Sequence, residues 1–254
     1  MNTVVVDSHN EILPFWVEEY LKAKHPLVVV RIDQHHDMNQ GCPSLPATEG
    51  RQIFDYLAKI MPHIYEYAKE KLNEGNFTCP AFHYGIVGAL YHFDPRVKEI
   101  DAYGRVSKGF ITDAPKTTIV ASFIVGRRLN QIIWDKASTK LRMRGGKVIP
   151  VPQNISIDSF KRDIAGCPLP VSIGFDLDGL YGNDDKGSVE EVVEKRLERV
   201  KDVLSYISSP VLACIARSQT PRAYVPPEVV DHLQQTVLQL IERKGFELCK
   251  MFPP

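Results

Sequence analysis

The sequence has no net charge: across its 254 residues, 31 lysines and arginines are balanced by 31 aspartates and glutamates. That balance gives no reason to expect nucleic acid or an anionic membrane as a partner, although a local acidic pocket stays open. Nowhere do about 18 apolar residues run together, so no membrane span is expected. The opening stretch, MNTVVVDSHNE, has no basic region, and its apolar run is too short for a signal peptide. Cysteine is sparse. The five (Cys42, Cys79, Cys167, Cys214 and Cys249) are odd in number, scattered and without a C-x-x-C pair. They are expected as reduced thiols of a cytoplasmic protein, not as a disulfide framework or a structural zinc site. Repeats, low-complexity tracts and convincing linkers are missing too, so residues 1–254 read as a single domain.

What is present is a series of short, nearly continuous apolar runs: Thr3–Val6, Leu27–Ile32, Lys147–Val151, Pro170–Phe175 and Pro210–Ala216. Continuous rather than alternating hydrophobicity predicts strands covered on both faces, hence a mostly parallel sheet. Between them lie helical patterns. Ser188 to Ile207 opens with a Ser188/Glu191 capping box and carries Val189, Val192, Val193, Leu197, Val200, Val203, Leu204 and Ile207 on one face. Glu228 to Lys244 is a second helix, entered through Pro226-Pro227 and stopped by Gly245. Glu49 to Asn73 is helical in pattern but kinked or split at Pro62. Residues 95–109 and 142–146 read as polar loops, and 111–140 as apolar and ambiguous between strand and helix. The whole predicts an α/β domain.

Three of the predicted strands end in metal-type ligands. VVVDSHNE supplies Asp7 and His9, VVVRIDQHHDM supplies Asp33, His35 and Asp37, and VSIGFDLDGL supplies Asp176 and Asp178. In open α/β sheets, sites collect beyond the carboxyl ends of the strands, so parallel neighbours would bring the three tips together. Alternation along an extended strand puts Asp33, His35 and Asp37 on one side, and Asp176 with Asp178 likewise. Carboxylates so close repel one another unless a divalent cation keeps them ionised. Carboxylate with some imidazole and no thiolate suits manganese, with iron and zinc as rivals. The donors exceed the three that one catalytic zinc needs, which favours two metals. His36 points the other way from His35 and reads as packing or support. His25, His63 and His92 read as ordinary surface or core histidines.

The stretch DQHHDMN resembles the D-A-H-x-D-x-N element of the arginase-like ureohydrolases, and IGFDLDGL resembles their S-x-D-x-D-G-L-D-P element. DSHN is similar, less closely, to their G-D-H-S element. The chain is also similar to the shorter peptide arginases, which convert arginine to ornithine within ribosomally made precursor peptides. This resemblance implies a three-layer arginase/deacetylase-like fold and two manganese ions that activate water for attack on a guanidinium carbon. It also implies that Asp33 and Asp176 bridge the ions, His9 and Asp37 complete one shell, and His35 and Asp178 the other. Asp178 is thereby also a catalytic candidate, and Asn39 would contact substrate.

The departures from the family matter as much. The histidine of DSHN lies one place later than in G-D-H-S, leaving Asp7 as a substitute for His9. Tyr181-Gly182 stand where the arginases have D-P. The family's glycine-asparagine-histidine loop, which holds the amino acid's α-groups and a proton-shuttling histidine, has no clear equivalent after Asn39. His36 and His83 are the candidates for the shuttle. The strand VLACIARSQTP lacks the glutamate that pairs with the guanidinium, leaving Glu11, Asp7 or Glu228 for that role. Without the α-group loop, an arginine-containing precursor peptide is expected as the partner rather than free arginine. Self-association into a homo-oligomer stays open. Competing expectations are hydrolysis of a free guanidino compound, and a mononuclear zinc deacylase like the histone-deacetylase-like enzymes, whose I-D-x-H-H element RIDQHHD also resembles. GFDLDGL is similar to the F-D-L-D-G-T of haloacid-dehalogenase-type phosphatases, but that reading leaves DQHHD unexplained. A non-catalytic metal-binding protein on the same fold is the remaining alternative.

Overall fold

The computed structural model describes residues 1–39, 41–43, 45, 53–115, 117–124, 127–134, 141–144, 147–244 and 249–251; for residue 42 and the strands between 117 and 149 and at 249–251, it describes the backbone. In chain order the elements are β1 (Asn2–Val6), α1 (Leu13–Ala23), β2 (Leu27–Ile32), β3 (Cys42–Pro43), α2 (Ile53–Lys71), α3 (Thr78–His83) and β4 (Val87–Phe93). Then come β5 (Ile100–Tyr103), β6 (Arg105–Ser107), β7 (Phe110–Thr112), β8 (Thr117–Ile124), β9 (Arg127–Trp134), β10 (Leu141–Arg144), β11 (Lys147–Pro150) and β12 (Gln153–Ile155). The chain continues through α4 (Ile157–Ile164), β13 (Val171–Asp176), α5 (Val189–Ser205), β14 (Pro210–Ala216), α6 (Val230–Arg243) and β15 (Cys249–Met251).

Four of the five apolar runs lie in one eight-stranded sheet of order β12-β5-β4-β2-β13-β14-β1-β15. From β4 to β15 every neighbouring pair is parallel, and β5 and β12 add antiparallel pairs at one edge. The unbroken hydrophobicity of β2 is explained by its two partners in the core. Leu27 and Val29 pack toward Trp16, Leu57 and Phe77 on one face, while Val28, Val30 and Ile32 pack toward Phe160, Val200 and Leu233 on the other. The β14 side chains divide the same way, Leu212, Cys214 and Ala216 against Ala213 and Ile215. Each large side chain so buried contributes about 1.5–3 kcal/mol. The result is a three-layer α/β fold around a mostly parallel sheet. Among the described residues no helix is long and apolar enough to cross a membrane.

Helix α5 starts as the sequence predicts, with Ser188 Oγ accepting from the Glu191 amide at 3.3 Å. Helix α2 runs unbroken through Pro62. Ala58 and Pro62 are both exposed, so the carbonyl that proline leaves without a donor lies on the solvent side. Residues 49–52 lie outside the described residues, as does Gly245. Other expectations are corrected. Lys147–Pro150 is a strand, but it pairs antiparallel with β10 in a separate two-stranded ribbon. Residues 95–109 are not simply a loop. They hold β5, which adds to the sheet with Ile100 and Ala102 buried and Asp101 between them, and β6. Tyr103 is buried on the other face of the sheet, so β5 is covered on both sides; it escapes notice because it is four residues long and carries Asp101 inside it. Arg142–Arg144 belong to β10, while Gly145 and Gly146 lie outside the described residues. Within the ambiguous 111–140 segment, residues 111–112, 117–124 and 127–134 are strand, while residues 113–115 are not.

Candidate metal centre

The parallel strands end along one edge, and each tip is folded over by a local device. After β1, Glu11 Oε2 accepts from the amides of Asp7 at 3.2 Å and Ser8 at 3.3 Å, closing a 3-10 turn that sends His9 inward to 1% exposure. After β2, the Asp33 amide donates to the Phe93 carbonyl at 3.1 Å, and Asp33 Oδ1 accepts from the His35 amide at 2.6 Å. The strand ends at Ile32, so alternation does not carry Asp37 to the site. Its left-handed backbone (φ 47°), which aspartate tolerates better than most residues, turns the chain back toward His9. After β13, Asp176 Oδ1 accepts from Ser218 Oγ and from the Asp178 amide. A Cβ on Gly179 would meet the Asp33 backbone at 3.1 Å, so this glycine lets the two tips approach.

Around His9 Nδ1 stand Asp37 Oδ2 at 2.8 Å, Asp176 Oδ2 at 3.2 Å and Asp33 Oδ2 at 3.4 Å. His35 Nδ1 lies 2.8 Å from Asp178 Oδ2. Neither His9 nitrogen, nor Asp33 Oδ2, nor Asp37 Oδ2 has a hydrogen-bond partner, although all four atoms are buried. The oxygens near Nδ1 are close but out of line for a hydrogen bond. Donor atoms that crowd together without bonding one another could share a cation between them. The donor atoms of His9, Asp33 and Asp176 lie within 4.8 Å of one another, and so do those of Asp33, His35 and Asp178. Either group could hold a metal ion, and Asp33 belongs to both.

The charges state the same need. Burial first, then Asp37, Asp176 and Asp178, push the Asp33 carboxyl well above its ordinary range. Burial and the Asp176 charge push Asp178 up to about 6. Burial alone would lower His9, but Asp176 and Asp37 outweigh it and raise it to about 9. Burial would raise Asp37, but His9 and Arg31 hold it low. Arg31, fully buried in an apolar strand, supplies the one fixed cation behind the cluster among the described residues. Its Nε is 3.5 Å from Asp33 Oδ2, Nη1 is 3.7 Å from Asp37 Oδ2 and donates to Thr78 Oγ1 at 3.1 Å, and Nη2 donates to the His36 carbonyl.

A pH dependence follows. His9 is raised in the folded state, so the stability it contributes is present below its unfolded value of 6.5 and is lost as pH rises through about 9. Metal-free protein is therefore expected to melt at lower temperature at pH 9 than at pH 7. Metal-loaded protein should not share this loss, because deprotonation favours ligation. Thermal unfolding with chelator and with manganese checks both; a chelated protein that gains stability toward pH 9 contradicts the charge arrangement.

The cluster forms the floor of a cavity of about 640 Å³ whose lining includes His9, His35, Asp37, Asp176 and Asp178. Asn39 and His36 line it as well. The remaining candidates are placed elsewhere. Glu11 is not among the cavity-lining residues, and its Oε2 is engaged by the Asp7 and Ser8 amides in the turn that carries His9. Asp7 accepts from Thr220 Oγ1 at 2.7 Å and leaves the ligand position to His9. Glu228 is exposed. His83 ends α3 just before Val87, which pairs with Leu27 at the start of β2, so it lies toward the opposite edge of the sheet. It packs edge-on against Tyr84 there and is withdrawn as a proton-transfer candidate.

Histidine 92, read as an ordinary core histidine, is buried and stacks on His36 with centroids 4.1 Å apart and planes 28° apart. With Asp101 Oδ2 3.5 Å from His36 Nε2, these three form another group of close donors. Rings stacked this nearly parallel aim their in-plane lone pairs side by side, not at one ion. Arg31, Glu74, Ser218 and Tyr224 escaped the sequence reading. Of these only Arg31 left a signal, a charge inside the run LVVVRI. No protein-family model matches the chain, and a search of characterised proteins returns no significant match.

Proposed function

We propose that the chain is a dinuclear manganese hydrolase of the arginase-like kind, converting arginine side chains in a precursor peptide to ornithine with release of urea. The observation that carries this reading is the pair of donor groups that share the buried Asp33 and whose other members all line one cavity. The two groups supply three carboxylates and two imidazoles, and Asp37, 2.8 Å from His9, adds a fourth carboxylate; with no thiolate the set is suited to manganese. When bound, the ions lower the pKa of water enough to provide a nucleophile near neutral pH. The chain's own residues do the rest. Asp33, common to both groups, and Asp176 would be shared by the ions, His9 and Asp37 would complete one ligand set, and His35 and Asp178 the other. Arg31 holds Asp33 and Asp37 from behind. His36, hydrogen-bonded to Tyr103 Oη at 2.9 Å, stands at the cavity wall where a proton can be passed to the leaving amine.

The expected product is read by mass spectrometry after incubating arginine peptides with manganese-loaded protein. Each hydrolysed arginine loses about 42 Da, the CN₂H₂ unit. No loss on any arginine peptide, with the metal in place, overturns the reading in favour of a deacylase or a non-catalytic metal protein. Within the same chemistry, a blocked arginine peptide is expected to exceed free arginine and agmatine in kcat/KM by tenfold or more, about 1.4 kcal/mol of transition-state binding. The loop that would satisfy free α-groups is not recognisable, and placing charged termini against a site without partners is costly. Side-by-side kinetics on the three substrates decide it. A tenfold advantage for free arginine or agmatine removes the peptide while leaving the metal chemistry.

A further inference from the structure

We infer that Glu74 is the specificity-determining residue of this cavity, gripping a planar cationic group through two parallel hydrogen bonds. The inference rests on the reading of the cavity as a substrate site and names the residue within it that selects charge and shape. Glu74 lines the cavity together with the metal-type ligands, yet it lies outside their cluster, on the turn between α2 and α3. Its Oε1 accepts a hydrogen bond from Tyr224 Oη at 3.3 Å, while its Oε2 is buried and has no hydrogen-bond partner among the described residues. Arg222 lies 5.6 Å over the Tyr224 ring but makes no hydrogen bond to that oxygen. A buried carboxylate oxygen left unpaired is costly, so a site that keeps one has its partner in the ligand.

The turn is built to hold the carboxylate still. Asn73 Oδ1 accepts from the Gly75 amide and Asn76 Oδ1 from the Asn73 amide, both at 3.0 Å. The Asn39 amide donates to the Gly75 carbonyl at 2.8 Å, tying this turn to the chain just after the DQHHD ligands. A Cβ at 75 would come within 2.5 Å of Asn39 Nδ2, so a larger residue there would displace the Asn39 side chain. Tyr224 joins the two halves of the cavity: its ring packs edge-on to His35 at 5.4 Å, and its hydroxyl reaches Glu74. Oε1 keeps one lone pair beyond the tyrosine bond and Oε2 keeps both. That edge matches the paired N–H groups of a guanidinium or amidinium, which an ammonium cannot offer in one plane. Held this way, the cation's carbon faces a cavity whose floor is the ligand cluster.

The test uses calorimetry on manganese-loaded protein with pentanamidine, a planar cation, and pentanamide, its neutral counterpart. Glu74→Gln keeps the shape and a hydrogen-bond partner for Tyr224. It is expected to weaken pentanamidine binding at least tenfold, leave pentanamide within twofold, and keep the metal content of the wild type. Glu74→Asp, which retains the charge on a shorter arm, should lose affinity to an intermediate degree and serves if the glutamine variant does not fold. Unchanged amidine binding in either folded variant overturns the assignment. The two readings fail separately. Glu74-dependent amidine binding without hydrolysis of any arginine peptide removes the hydrolase and keeps the anchor; hydrolysis with an unaltered KM in Glu74→Gln removes the anchor and keeps the hydrolase.

Discussion

Replacing Asp33 with asparagine is expected to lower turnover of an arginine peptide by about a thousandfold or more, roughly 4 kcal/mol of transition-state stabilisation, with loss of bound metal and no loss of fold. Asp33 is fully buried, belongs to both donor groups, and faces three other carboxylates. Asparagine keeps the size and the acceptor for the His35 amide, so the turn after β2 is retained. What disappears is the negative charge shared by both positions, and metal affinity falls with it. The metal-free variant should unfold no more easily than the metal-free wild type, because it buries one unpaired carboxylate fewer. Elemental analysis, melting curves and kinetics on one preparation give the three readouts. Full activity with undiminished metal in Asp33→Asn would take this residue out from between the ions.

The second large effect is on stability. Metal-free protein buries Asp33, Asp37, Asp176 and Asp178 around His9 and His35, with Arg31 as the only permanently charged cation in contact among the described residues. Carboxylates left in this state oppose folding, and an ion that binds only the folded form reverses the sign. At a free concentration a thousandfold above Kd, one ion adds about 4 kcal/mol. For a chain of this length that raises Tm by roughly 8–16 °C, from about 2–4 °C per kcal/mol. Two ions add more, and the titration should end at two manganese per chain. An end point at one ion, with calorimetry showing a single binding event, replaces the dinuclear hydrolase with the mononuclear deacylase alternative. An absence of any thermal shift would remove the metal from the site.

Both predictions concern residues that the sequence made visible. The runs at 3–6, 27–32, 170–175 and 210–216 are apolar without alternation, and only a strand buried on both faces needs that pattern. Parallel strands so buried must share one carboxyl edge, and the aspartates and histidines written at their ends must meet there. Thus the α/β class, the mostly parallel sheet, and the convergence of His9, Asp33, His35, Asp37, Asp176 and Asp178 were determined by the linear chain. The same logic misplaced β11, because a short apolar run carries no record of its partner, and it passed over β5, which is only four residues long and carries Asp101 inside it. It also proposed His83 on residue type alone, where no strand end or turn tied that histidine to the edge.

Tertiary structure decided everything that depends on segments far apart in the chain. Glu11 looked like a carboxylate free for substrate until its bonds to the Asp7 and Ser8 amides showed it building the turn under His9. Arg31 read as one odd charge in a strand, and only packing shows it compensating Asp33 and Asp37. Glu74 and Tyr224 stand 150 positions apart, and nothing local marks either as belonging to the cavity. Periodicity and strand ends report what each segment does with its own neighbours. Which loop closes over the edge, and which carboxylate is left without a partner there, is settled by packing between segments.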